Sequence, residues 1–287
     1  MNAAPDMTRA DVHWSKHGCV TLSGELLEWS LHFDAFLAGR AVQLGSAEYS
    51  FPSLIAAESL APIGYLHSFP HLASFVTTGR QDALQALADD SAMASELPAC
   101  EEHFESFRHL LTPAACYHFY PMFAGSRIAA PLHLTTRCQC FRREDHYEPL
   151  QRQWSFDMRE IVCIGDAAAI DAHIRAWREE TARLQDHLGI TASWQAATDP
   201  FYDPLGDPKA LAQLVEPSKQ ELCTPNGLAI ASINRHRRFF GESYDIRYGD
   251  AHAESACVAF GIERWLHAMT KVHGHDAARW PCPEASR

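Results

Sequence analysis

The sequence predicts an α+β fold rather than regular βαβ alternation. Three observations lead there. Two long segments carry apolar residues at helical spacing, several short runs alternate with period two, and near the C-terminus a strand passes through a glycine into a helix. In the first helix Leu26, Trp29, Phe33, Phe36 and Leu37 share a face, and the spacing predicts a stop at Gly39. Tyr49 and Phe51 then alternate into Pro52, as a strand does before a turn. The second helix lines up Ile170, Ile174, Trp177, Leu184 and Leu188, with Asp171 near its start and Gly189 after its end. Trp154, Phe156, Met158, Val162 and Ile164 alternate as a strand, and Ala229 to Asn234 and Ser255 to Phe260 are short and β-compatible. A last helix carries Ile262, Trp265, Leu266, Met269 and Val272 and stops at Gly274.

The chain has 287 residues, 47% apolar and 21% charged, enough for a sizeable core. No repeat, low-complexity tract or Pro/Gly/Ser linker divides it, so one domain over 21–272 is expected, between an N-terminal tail (1–20) and a C-terminal tail (273–287). A net charge of −12 argues against a broad nucleic-acid surface, because that affinity comes largely from Lys and Arg displacing counterions. Neither a signal-like apolar run nor a membrane span is evident, and the nine cysteines lack tight paired spacing. A cytoplasmic protein with no membrane partner is the expectation.

Some residues break these patterns. Strand alternation places Glu160 on the face of Phe156, Met158, Val162 and Ile164. An unpaired charge there costs several kcal/mol, so the carboxyl is protonated, paired with a cation or bound to a metal. If Phe141 to Glu144 is extended, Arg142 and Glu144 share a face, either as a structural pair or as a phosphate-neutralising cation beside a carboxylate that accepts from a base amine. The polar stretch 145–153 is long enough to fold over a ligand. Arg264 falls in the first turn of the last helix, where the dipole offers a cation nothing and an anion is the natural partner. Cys138 and Cys140 have same-face spacing, and a buried thiol pair is favoured over ligation.

Taken in order, these segments resemble the catalytic core of the class II aminoacyl-tRNA synthetases, a mainly antiparallel sheet flanked by helices. Phe141-Arg142-Arg143-Glu144 with the returning Phe156 to Glu160 matches that class's second motif, and Phe260-Gly261-Ile262-Glu263-Arg264 its third. Ala47 to Pro52 resembles the first, which implies a homodimer. The nearer resemblance is to the amino acid:[carrier protein] ligases, truncated homologues of zinc-containing seryl-tRNA synthetases. It is carried by Gly64 to Leu72, Ala115 to Pro121, Asp157 to Val162, Ala231 to His236 and Phe239 to Glu242, over about Leu22 to Val272.

That resemblance implies roles for individual residues. Arg142 would hold the α-phosphate of ATP and Arg264 the γ-phosphate, with Glu144 at the adenine amine, Phe156 stacked on adenine, and Arg152 and Gln153 also reaching the nucleotide. Backbone of Leu228, Ala229, Ile230 and Ala231 would line it. One Zn²⁺ per subunit would be bound by Cys116, Glu160 and Cys257, leaving a position for the amino group of the amino acid, so Glu160 also belongs to the amino-acid site. Mg²⁺ would accompany ATP, although Leu228 stands where the synthetases carry a ligating Glu. The implied reaction activates glycine or alanine as an adenylate and passes it to the phosphopantetheine thiol of a small carrier protein, not to tRNA. With only about twenty residues before the first core helix, no long tRNA-binding arm of the seryl type is expected. A minimal tRNA-charging enzyme and an inactive regulatory paralogue are the competing readings. For carrier docking, Arg235, Arg237 and Arg238, or Arg175, Arg178 and Arg183, are the candidate basic clusters.

Overall fold

The computed structural model describes residues 11–91, 101–215 and 217–283. The chain starts with a hairpin of β1 (Val12–Ser15) and β2 (Cys19–Leu22) and a helix over Gly24–Gln43. The short strands β3 (Ala47–Ser50), β4 (Leu54–Ala56), β5 (Phe75–Val76), β6 (His109–Leu111) and β7 (Arg127–Ile128) lead into two long ones, β8 (Leu132–Phe141) and β9 (Ser155–Gly165). A helix over Ala167–Leu188 follows, then β10 (Ser193–Ala197), β11 (Lys219–Cys223) and β12 (Ala229–Arg237). The short β13 (Arg247–Tyr248) and β14 (Ala251–His252) precede β15 (Glu254–Gly261), which enters the helix Ile262–His273.

Seven strands form the main sheet in the order β10-β11-β12-β15-β9-β8-β3. Every pairing in it is antiparallel except that of the edge strand β3 with β8. This is the expected α+β core. Strand β9 is buried on both faces, and its alternation sorts two environments. Ile161 joins Trp177 and Trp265 under the three helices, whereas Val162 and Ile164 join Phe119 and Tyr120 on the other face.

The helices depart from expectation at their ends. The first runs through Gly39 to Gln43, because Ala41 is buried and the Leu44 amide caps Arg40; a glycine in mid-helix costs only about 1 kcal/mol. The second starts at Ala167, where the Asp166 side chain accepts from the Ala169 amide at 2.9 Å, so Asp166 is the cap and Asp171 lies within the helix. It ends at Gly189 in the left-handed conformation, φ 64°.

Both terminal segments differ from free polar tails. Residues 12–22 pair as a hairpin whose turn residue Gly18 has φ 85° and lies where a Cβ would fall 2.6 Å from the Tyr147 ring, so the hairpin braces the 145–153 loop. Two four-residue strands are too short for periodicity to reveal. At the other end Trp280 packs edge-on against Trp29 at 5.6 Å, and the Trp29 indole donates to the Pro281 carbonyl. Residues 1–10 and 284–287 lie outside the described residues.

Candidate active site

One face of the sheet, where β9, β12 and β15 meet the 142–154 loop, walls a cavity of about 470 Å³. Glu160 lies at mid-strand in β9, paired with Thr136 of β8 and Ala259 of β15. Cys257 is on β15 opposite Asn234 of β12, and Cys116 is on the single helical turn Ala115–His118 laid over the sheet. Their ligating atoms all lie within 4.8 Å of one another, and the three residues are 3% exposed or less. Glu160 Oε1 accepts from the Ala115 amide at 3.0 Å, and among the described residues Oε2 has no hydrogen-bond partner. Two side chains then buttress Cys257: Asn234 Nδ2 lies 3.7 Å and His236 Nε2 3.6 Å from its sulfur.

The three buried groups form a set that could hold a metal ion. Burial pushes the Glu160 carboxyl above the usual range, and the Cys116 thiol is raised by its hydrogen bond with Cys257 and by burial. A dication reverses both directions by making the anionic forms the favoured ones. Two sulfurs, one carboxylate with an orphaned oxygen and an adjoining cavity suit Zn²⁺ in a three-ligand site with an open position.

The anion-binding candidates stand on the same cavity. Strand β8 ends at Phe141, so Arg142 and Glu144 follow the strand instead of sharing its face. Arg142 Nε donates to the Pro113 carbonyl at 3.0 Å, and its guanidinium lies 5.2 Å from the centre of the Phe156 ring. Arg264 Nε donates to the Gln151 carbonyl at 2.8 Å and Nη1 to that of Ala229 at 2.9 Å, so the loop and β12 fix it at the wall. Burial and the nearby positive charge of Arg142 lower the Arg264 pKa. Two partly desolvated guanidinium groups that repel each other favour a polyanion between them.

The other expected residues divide. Glu144, Arg152, Phe156, Ala229, Ile230 and Ala231 line the cavity, with Arg152 donating to Glu144 at 2.5 Å. Gln153 also lines it but uses both ends of its amide on its own loop, accepting from the Leu150 amide and donating to the Ser155 carbonyl. Leu228 is not among the lining residues: it packs on the core, and its carbonyl accepts from the Thr224 amide. Cys138 and Cys140 are buried in a small apolar cluster with Ala115, Met158 and Ala259, as expected of non-ligating thiols. Of the basic clusters, Arg235 is paired with Asp171 and Glu254, Arg178 with Gln220, and Arg183 with Glu179 and Glu180.

Sequence reasoning gave no role to Asn234 and His236, which support Cys257, or to Glu221, which lines the cavity and interacts with Arg264. The contacts of the first two come from the register of β12 with β15, which sets Asn234 opposite Cys257.

Residues 101–273 match the model of the tRNA synthetase class II core domain (G, H, P, S and T). Amino acid–[acyl-carrier-protein] ligase 1 of Bradyrhizobium diazoefficiens is 34% identical over 253 residues, covering 83% of this chain and 75% of the relative. The chain belongs to the amino acid–[acyl-carrier-protein] ligases, within the class II synthetase core family. Ligase 2 of the same organism is 35% identical over 243 residues, 80% of this chain and 71% of its own. The M. kandleri seryl-tRNA synthetase, solved in complex with A. aeolicus tRNASec, superposes with a TM-score of 0.80 at 19% identity over 94% of this chain. This chain spans 56% of that synthetase, and the likeness shows the fold alone.

Proposed function

We propose that this protein activates glycine or alanine with ATP and transfers the aminoacyl group to the phosphopantetheine thiol of a small carrier protein. One observation carries the reading: the Arg142 and Arg264 guanidinium groups and the Cys116, Glu160, Cys257 donor set line a single cavity. A triphosphate and a free amino acid can therefore meet there. The names of the relatives supply the acceptor class.

An oxygen of the amino acid carboxylate attacks the α-phosphorus, the bond to the β-phosphate bridging oxygen breaks, and pyrophosphate leaves with that electron pair. Arg142 neutralises charge at the α-phosphate and Arg264 at the γ-phosphate, both held in place before the reaction by carbonyl contacts. Phe156 stacks on the adenine with the ring face that Arg142 does not cover. Glu144 accepts from the adenine amine once Arg152 turns toward the phosphates, a swap available because that pair sits at the cavity rim. The carrier thiolate next attacks the carbonyl carbon, and AMP leaves.

When bound at Cys116, Glu160 and Cys257, Zn²⁺ supplies an open Lewis-acid position that selects a free α-amino group. Phe240, which lines the cavity with Cys257 and is stacked on buried Tyr120 with ring centres 3.7 Å apart, limits the size of the amino acid. Leu228 offers no carboxylate for Mg²⁺, and Glu221 on β11 is the group we assign to it. The edge strand β3 and the first helix form the homodimer face. Every cysteine among the described residues is a free thiol, which suits the cytoplasm, and no helix among them is long and apolar enough to cross a membrane. The test is amino-acid-dependent ATP–pyrophosphate exchange followed by transfer to a phosphopantetheinylated carrier protein. Absence of exchange with every amino acid overturns the reading.

A further inference from the structure

The face of the sheet away from the cavity holds a second set of metal-ligating side chains. His133 on β8 pairs directly with Cys163 on β9, and His173 comes down from the overlying helix Ala167–Leu188. One ligand atom of each lies within 4.8 Å of those of the other two, and the imidazole rings are 5.8 Å apart. Since β9 alternates, Cys163 faces the helices and Glu160 the cavity, so this group is separated from the first by the thickness of the sheet.

Packing alone leaves part of this arrangement unexplained. Cys163 is fully buried in a small cluster with Ile170 and Ala256, and His173 is 5% exposed. Among the described residues the His173 Nε2 atom has no hydrogen-bond partner. A buried nitrogen with nothing to bond is unfavourable, and a purely apolar contact at this point would avoid it. Burial also lowers the pKa of both imidazoles, His173 to about 4, so both rings are neutral and carry a lone pair at physiological pH. Small neighbours leave room: Ala256 stands beside Cys163 on β15, and Ala169 packs at the helix start.

We propose that His133, Cys163 and His173 bind a second Zn²⁺-type ion, which fastens the helix Ala167–Leu188 to the centre of the sheet. Bonds of about 2.0–2.3 Å from two imidazole nitrogens and one thiolate require ligand atoms roughly 3.5 Å apart, a closure that side-chain rotation supplies from the observed spacing. Binding releases the Cys163 proton to solvent, and the orphaned Nε2 gains its partner. The fourth position opens beside half-exposed His133 and takes water. Two nitrogens and one sulfur favour Zn²⁺ or Co²⁺ over Mg²⁺ or Ca²⁺.

Metal content of the purified full chain, prepared without chelator and measured by plasma mass spectrometry, tests this independently of catalysis. The wild type should hold two Zn²⁺ per chain and Cys116→Ser one. Cys163→Ser and His173→Leu should each lose one from the wild type, and either combined with Cys116→Ser should leave none. Protein produced in cobalt-supplemented medium gives a second readout: Cys116→Ser should retain a thiolate-to-cobalt charge-transfer band that Cys163→Ser in the same background abolishes, with near-ultraviolet circular dichroism reporting the fold. One metal or fewer in the wild type, insensitive to Cys163→Ser, overturns the proposal. A single metal lost with Cys163→Ser but kept in Cys116→Ser supports this site and removes the cavity site instead.

Discussion

The backbone N–H of Ala115 donates to Oε1 of Glu160 at 3.0 Å, tying the turn that carries Cys116 to the strand that carries the carboxylate. The bond orients one oxygen and leaves Oε2 buried without a partner beside two thiols. This contact holds the Cys116 turn against the sheet, next to the carboxylate.

Cys116→Ser removes one sulfur from the Cys116, Glu160, Cys257 set while Ala115 still holds Glu160. We expect Zn²⁺ content per chain to fall by one equivalent and amino-acid-dependent exchange to fall at least about 100-fold, whereas the AMP-binding affinity changes little. Metal analysis and exchange kinetics on the same preparation check it; unchanged zinc content would show that the ion, if present, sits elsewhere.

Arg264→Ala deletes a guanidinium fixed by two carbonyls at the cavity wall. The expected loss is about 10²–10³ in kcat for exchange, with the melting temperature close to that of the wild type. Arg264→Lys should recover little, because an ammonium cannot reach both the Gln151 and Ala229 carbonyls and a phosphate. A loss confined to KM for the amino acid would contradict the phosphate assignment.

Much of this was legible beforehand, for reasons that differ by residue. Glu160 announced itself because a carboxylate interrupts an otherwise apolar face of β9, and the strand-to-helix passage at Gly261 fixed the place of Arg264. The β12 partners of Cys257 were hidden, since the Asn234 and His236 contacts depend on register with β15, which no local pattern encodes. The hairpin at 12–22 was missed because its strands are four residues long, and the bonds of Gln153 to Leu150 and Ser155 were hidden because they exist only once the loop is folded.

Burial, followed by the negative charge of Asp157, raises the pKa of Glu263 to about 8, while its two oxygens both accept from the Asp157 amide. Its folded pKa therefore lies above the ordinary value of 4.5, and the native state holds a proton that the unfolded chain has lost. The stability from the neutral carboxyl is complete below the unfolded pKa and disappears as pH rises through the folded one. Thermal melts at about pH 6 and about pH 9 should show the wild type losing more stability than Glu263→Gln over that interval. Equal losses in both proteins would contradict the shift.

Arg159, 3% exposed, makes two 2.8 Å bonds to Asp34 on the first helix and a third to Glu48 on β3. Arg159→Met leaves Asp34 with only the Arg137 guanidinium, 3.5 Å away, and should cost about 3 kcal/mol in denaturant unfolding. Glu48→Gln breaks a contact whose acid is 49% exposed and should cost under about 1 kcal/mol. Similar costs for the two would mean that burial does not govern this cluster.

The most direct test of the account is a single assay on the purified protein with ATP, radiolabelled glycine or alanine, and two acceptors offered separately: a phosphopantetheinylated carrier protein and total tRNA. The account predicts pyrophosphate exchange with one of these amino acids, hydroxylamine-labile label on the carrier, and none on tRNA. Label on tRNA, or exchange without any transfer to a carrier thiol, would contradict it.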